Sequence, residues 1–101
     1  MKVLEGILKE ELARLRATEK GYRRELRKLP KGSIQKKRIK GSLYVYLSFR
    51  ENEKVVTRYL GRVSAEELKK LEQDADLRKK YERLLREVKN DQKRIARMVR
   101  E

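Results

Sequence analysis

Cysteine, histidine and tryptophan are absent from this chain of 101 residues, and proline occurs once. Without cysteine there is no disulfide framework and no thiolate metal site. Without histidine the usual general base near neutral pH is missing, together with Ser–His and Cys–His nucleophile pairs and the commonest zinc ligand. No apolar run approaches 18 residues, which excludes a transmembrane helix from the expectation. The opening Met1-Lys2-Val3-Leu4-Glu5-Gly6, with Glu10 and Glu11 soon after, lacks a signal-peptide core. A cytoplasmic location is therefore the default expectation, nucleoid-associated if the ligand is DNA. A glycine-rich phosphate loop is lacking too, since Lys31-Gly32-Ser33 supplies one lysine and one glycine. Tyrosine with several arginines is the equipment of DNA-cleaving tyrosine enzymes, but those need a much larger scaffold. The chain is accordingly expected not to be an enzyme, and to need no cofactor, metal, small-molecule substrate or membrane.

What the sequence has in excess is positive charge. Thirty Lys and Arg oppose sixteen Asp and Glu, a formal net charge of +14. Charged residues make up 46% of the chain, a level common in thermophile proteins, but a thermophile surface does not explain the imbalance of sign. A charge this large favours a polyanionic partner, because neutralising phosphates releases condensed counterions. The excess is concentrated. Residues 1–22 carry a net +1 and residues 63–101 a net +3, whereas residues 23–62 hold thirteen cations and three acids, a net +10.

The length allows one domain with a thin core. A first helix is expected over about residues 3–28. Leu8, Leu12, Leu15, Tyr22, Leu26 and Leu29 form one apolar stripe close to a coiled-coil seam, and Glu19 fills the seam position skipped between Leu15 and Tyr22. Gly21 weakens this helix and Pro30 should end it. Strands are expected at Ser33–Lys40, Leu43–Arg50 and Lys54–Leu60, with turns at Gly41-Ser42 and Glu51-Asn52-Glu53, forming an antiparallel meander over about residues 33–60. Ser64 with Glu67 forms a capping box for a second helix over about 65–100. Its stripe begins as Leu68, Leu71 and Ala75, then shifts to Leu77, Tyr81, Leu84, Val88, Ile95 and Met98. We read the slip at Asp74–Asp76 as a break with Asp76 as a second N-cap; the alternative is a continuous helix whose stripe rotates. The fold class is thus α+β: a long helix, a three-stranded antiparallel meander and a second long helix, kinked if the break at Asp74–Asp76 occurs. A short sheet cannot cover two helices of roughly 40–50 Å each. They are expected to pack on each other or on another chain, giving a homodimer or higher oligomer.

Period-two alternation places Leu43, Val45, Leu47 and Phe49 on one face of the central strand, and Tyr44, Tyr46, Ser48 and Arg50 on the other. If Asn52-Glu53 is the tight turn, Arg50 pairs with Val55, Ser48 with Thr57 and Tyr46 with Tyr59. The tyrosine face then has two readings: stacking on bases or sugars, or tyrosine serving simply as a strand former. The basic run is more telling. Lys36, Lys37, Arg38 and Lys40 supply four cations in five positions with no acid, more than protection of a sheet edge requires. With Arg50 and Arg58 they are the candidate phosphate contacts, and Tyr44, Tyr46 and Tyr59 the candidate stacking or sugar contacts.

The segments Leu29-Pro30-Lys31-Gly32-Ser33, Gly41 with Leu43-Tyr44-Val45-Tyr46-Leu47, Phe49-Arg50-Glu51 with Lys54-Val55, and Arg58-Tyr59-Leu60-Gly61 resemble a family of short, uncharacterised bacterial and archaeal proteins. That family's pattern runs LPKGS, a strand, G, YYYL, YREGGKV and YLG, followed by a charged helix. A related string occurs near the N-terminus of some insertion-element transposases. The likeness covers about a third of the chain, and the family's Gly-Gly turn is replaced here by Asn52-Glu53. The resemblance implies the helix–sheet–helix layout and, through the transposases, leans towards DNA.

The expected function is non-catalytic, largely sequence-independent nucleic-acid binding through a basic sheet, with DNA preferred over RNA. The alternative is a protein-interaction module, an adaptor or inhibitor, that meets an acidic partner surface.

Overall fold

The computed structural model describes residues 2–100, in the order α1 (Lys2–Arg27), β1 (Ser33–Ile39), β2 (Ser42–Glu51), β3 (Lys54–Arg62) and α2 (Ala65–Arg100). The chain is α+β, as its periodicity predicts. Among the described residues, no helix is long and apolar enough to cross a membrane. Two compact units divide it: residues 29–78 form one, and α1 with the part of α2 from Lys79 onward forms the other.

In the second of these units the helices pack antiparallel. Leu15 and Val88 are its buried residues, Tyr22 meets Tyr81 with ring centroids 5.8 Å apart, and Gln92 reaches Leu15 and Glu19. Glu19 sits in the seam because it is bonded there. Its carboxylate accepts a 2.7 Å bond from Arg23 Nε and a 2.9 Å bond from Gln92 Nε2, which also donates to the Leu15 carbonyl at 3.3 Å. The hydrogen bonds from Arg23 and then Gln92 hold the Glu19 carboxyl below the usual carboxylate range.

The other unit is built on the sheet, in strand order β1-β2-β3 with both pairings antiparallel. Arg50 lies opposite Val55, Ser48 opposite Thr57 and Tyr46 opposite Tyr59, the register expected for an Asn52-Glu53 turn. That two-residue loop holds φ at 50° and 67°, the left-handed pair that suits the right-handed twist of a hairpin. The first hairpin differs from expectation. Ile39 pairs with Ser42, so the turn is Lys40-Gly41, with φ of 48° and 81°, and Lys40 leaves the strand. Glycine at the second position tolerates that geometry, whereas Gly41-Ser42 would have forced it on a serine.

Gly32, with φ of +100°, lies against the backbone of β2: a Cβ there would stand 2.4 Å from the Ser48 carbonyl oxygen. Only glycine lets the chain enter β1 this closely after Pro30. The side of the sheet bearing Val45 (0% exposed) and Leu47 is the core of this unit. The start of α2 lies over it: Leu60, Val63, Glu67 and Leu71 line a common cleft, and Lys36 meets Glu72. Ser64 caps the helix by accepting the Glu67 amide on its Oγ at 3.1 Å.

The expected break at Asp74–Asp76 does not occur; α2 is one helix of 36 residues. Its apolar stripe rotates because the helix changes partner along its length, from the sheet to α1. At the changeover Arg78 occupies the position that continues the Leu68-Leu71-Ala75 row. It donates from Nη1 to the Leu29 carbonyl at 3.2 Å, satisfying an acceptor just after α1.

Candidate nucleic-acid interface

The pairing register sorts the sheet's side chains into two faces. On the face away from the start of α2 stand Lys37 of β1, Tyr44, Tyr46 and Arg50 of β2, and Tyr59 of β3. The three rings form one cluster. Tyr44 and Tyr59 stack at 6.5 Å with planes 25° apart, and Tyr46 meets Tyr59 at 5.1 Å, tilted 45°. Tyr59 is 56% exposed and carries the outermost surface of the cluster, while Tyr44 and Tyr46 are half-buried.

A β-bulge adds a further cation. Tyr46 pairs with Tyr59 but Val45 with Gly61, which leaves Leu60 as the extra residue of β3. Gly61 takes φ of +90° to make this possible. In unbroken alternation Arg62 would fall with Val56, Arg58 and Leu60 on the helix side. The bulge turns it over, and Arg62 stands opposite Tyr44 on the tyrosine face. Arg62 belongs to the basic stretch of residues 23–62, but alternation alone does not bring it to this face; the bulge does, and its signal is the glycine one residue before. The tyrosine face thus holds Lys37, Arg50 and Arg62, all exposed, and no acidic residue.

Lys36, Arg38 and Arg58 point the other way, opposite Val45, Leu43 and Leu47. Lys36 makes a 3.0 Å ion pair with Glu72 of α2, both side chains about half exposed. Arg38 and Arg58 are exposed at the margins of that side. Lys40 sits at the tip of the first hairpin. Among the described residues, no carboxylate forms an ion pair with Lys37, Arg38, Lys40, Arg50 or Arg58. The structure therefore brings Lys37, Arg50 and the three tyrosines together, and separates them from Lys36, Arg38 and Arg58.

Chemically, the tyrosine face offers π-surfaces, three hydroxyl groups and three unopposed cations on rigid strands. That combination suits an extended polyanion with planar or sugar groups between its charges. A family described as a domain of unknown function (DUF6788) matches residues 2–70, which span α1, the whole sheet and the first turns of α2. No curated protein and no solved structure matches the chain.

Proposed function

The chain belongs to this family of unknown function, and from the face its sheet presents we propose that it is a non-catalytic nucleic-acid-binding protein, largely indifferent to sequence. The observation that carries the reading is the acid-free surface on which Lys37, Arg50 and Arg62 surround the Tyr44–Tyr46–Tyr59 cluster. A fold needs neither half of that arrangement in the open. An exposed tyrosine cluster buries little, and neighbouring like charges cost stability unless a counter-charge arrives. Phosphates supply that charge, and sugars or bases cover the rings. Lys40 at the hairpin tip, with Lys36, Arg38 and Arg58 at the margins, extends the field without touching the same stretch of backbone.

DNA is the preferred ligand. A two-stranded ribbon enters a major groove about 12 Å wide, and the β1–β2 and β2–β3 hairpins are ribbons of that kind. The likeness of the Leu29–Gly61 region to the start of some insertion-element transposases leans the same way, and links the protein to mobile elements. The place of action is then the cytoplasm, at the nucleoid. Oligomerisation through the helices belongs to this reading, supported by Val3, Leu4, Ile7 and Met98, large apolar side chains left more than half exposed on α1 and α2. Light scattering on the purified protein reads it directly, and a strict monomer at working concentration removes it.

The second reading, a module that docks an acidic protein, is favoured by Ile39 and Val55, both exposed apolar residues on the tyrosine face. Fluorescence anisotropy with duplex DNA, single strands and RNA across a salt series separates the two. The nucleic-acid reading expects affinity to fall steeply and log-linearly with salt, most tightly for duplex DNA. No affinity for any of the three at low salt defeats it and leaves the protein-docking reading.

A further inference from the structure

Because α2 is unbroken and changes partner at Arg78, its charge divides at the same place. Residues 65–78 hold five acids and three cations, whereas residues 79–100 hold nine cations and three acids. Within the second stretch Lys79, Arg83, Arg86, Lys93, Arg97 and Arg100 recur at steps of four, three, seven, four and three, with Asn90 filling the skipped position. This row is two residues out of phase with the apolar row of Tyr81, Leu84, Val88 and Ile95 and so lies largely on the other side of the helix, with Lys93, Arg97 and Arg100 bordering a cleft shared with Leu12 and Arg16 of α1. All seven of its residues are exposed. From Lys79 to Arg100 it runs about 32 Å, close to one turn of a DNA double helix.

Structural roles account for little of it. The helix dipole favours only the last-turn cations, Arg97 and Arg100. Glu87 serves Arg83 at 3.2 Å and Asp91 serves Arg94 at 3.6 Å, but among the described residues no carboxylate pairs with Arg86, Lys93 or Arg97. In α1, Glu11 and Glu19 pair with Arg14 and Arg23 of the same helix, and Glu25 with Lys28 just past its end. The cationic row of α2 places like charges four apart, as in Lys79–Arg83 and Lys93–Arg97, which opposes helix formation.

We propose that this outer side of α2 is a second polyanion-contacting surface, which lies along the phosphate backbone of a nucleic-acid duplex. It rests on the nucleic-acid reading of the protein, but on none of the sheet's residues. A membrane is the poorer partner, because the apolar side of this stretch is occupied: Val88 is buried and Tyr81 is against Tyr22 of α1. An acidic protein is poorer too, since the row offers no apolar or aromatic anchor of the kind that dominates protein interfaces. A uniform phosphate chain needs none.

The test compares full-length variants in duplex binding across salt. One carries Arg86→Ala, Lys93→Ala and Arg97→Ala. Its charge-matched control carries Lys9→Ala, Lys20→Ala and Arg24→Ala, exposed positions of α1. Alanine favours helix, and far-UV circular dichroism checks that both remain folded. If the three α2 cations each meet a phosphate, the slope of log affinity against log salt becomes shallower by about 2.7, with a change below about 1 for the control. Equal changes in the two variants overturn the inference while leaving the sheet as the binding surface. Loss of binding to anionic phosphatidylserine vesicles, with duplex binding intact, overturns it in favour of a membrane surface. If the α2 variant shows the expected loss while changes at Lys37, Arg50 and Arg62 have no effect, this surface stands and the sheet reading falls.

Discussion

The sharpest test of the sheet comes from its two faces, each of which offers three cations for a charge-matched comparison in different surroundings. Consider two triple variants of identical net charge: Lys37→Ala, Arg50→Ala and Arg62→Ala on the tyrosine face, and Lys36→Ala, Arg38→Ala and Arg58→Ala on the helix side. Each phosphate contact on duplex DNA contributes about 0.9 to the slope of log affinity against log salt. Three lost contacts make the slope shallower by about 2.7. Over a rise from 50 to 200 mM salt, such a variant therefore loses about 40-fold less affinity than the parent protein does. The helix-side variant should change the slope by less than one contact, because Lys36 is already engaged by Glu72 and the other two stand at the margins. Its stability should be nearly unaltered, since an exposed ion pair is worth about 0–1 kcal/mol. Anisotropy titration at four or five salt concentrations gives the slopes without relying on any single affinity. A larger slope change for the helix-side variant, or the same change for both, refutes the assignment of the contacts to the tyrosine face. The second result would mean that overall charge, and not the arrangement of the sheet, governs binding.

Three further outcomes probe the scaffold. Gly32→Ala combines a left-handed backbone with a methyl group 2.4 Å from the Ser48 carbonyl, and should destabilise by about 2–4 kcal/mol in urea unfolding; a loss below 1 kcal/mol would show that β1 can enter the sheet by another path. Glu53→Gly relieves a positive φ of 67° at a non-glycine residue and should stabilise by about 0.5–1 kcal/mol, raising Tm by roughly 2–8 °C; a lower Tm contradicts the turn assignment. Glu19 has its pKa depressed by Arg23 and Gln92, so its contribution is present above the unfolded carboxylate value of about 4.3 and is lost as pH falls through the folded value. Glu19→Gln should therefore lower stability at pH 7, and the gap to the parent should close on acidification below about pH 4.3; a gap independent of pH would rule out the charge as its origin.

Much of this architecture follows from local rules. The two helices come from apolar stripes, the α2 cap from Ser64 and Glu67, and the partners of β2 and β3 from strict alternation and a two-residue loop, which together leave one register. The grouping of Tyr44, Tyr46, Tyr59 and Arg50 was legible for the same reason. What remained hidden depends on groups far apart in the chain. A one-residue bulge at Leu60 moves Arg62 to the tyrosine face, and alternation cannot foresee where alternation stops. The turn at Lys40-Gly41 is set by which residues close the ladder, Ile39 and Ser42, not by the small residues alone. Gln92 becomes the partner of Glu19 only when the helices align. The slip at Asp74–Asp76 looked like an interruption because a helix seen alone has one apolar side. Tertiary structure gives α2 two successive partners, so a stripe that turns is compatible with an unbroken backbone. The same change of partner marks where its charge reverses sign, from a net −2 over residues 65–78 to a net +6 over residues 79–100.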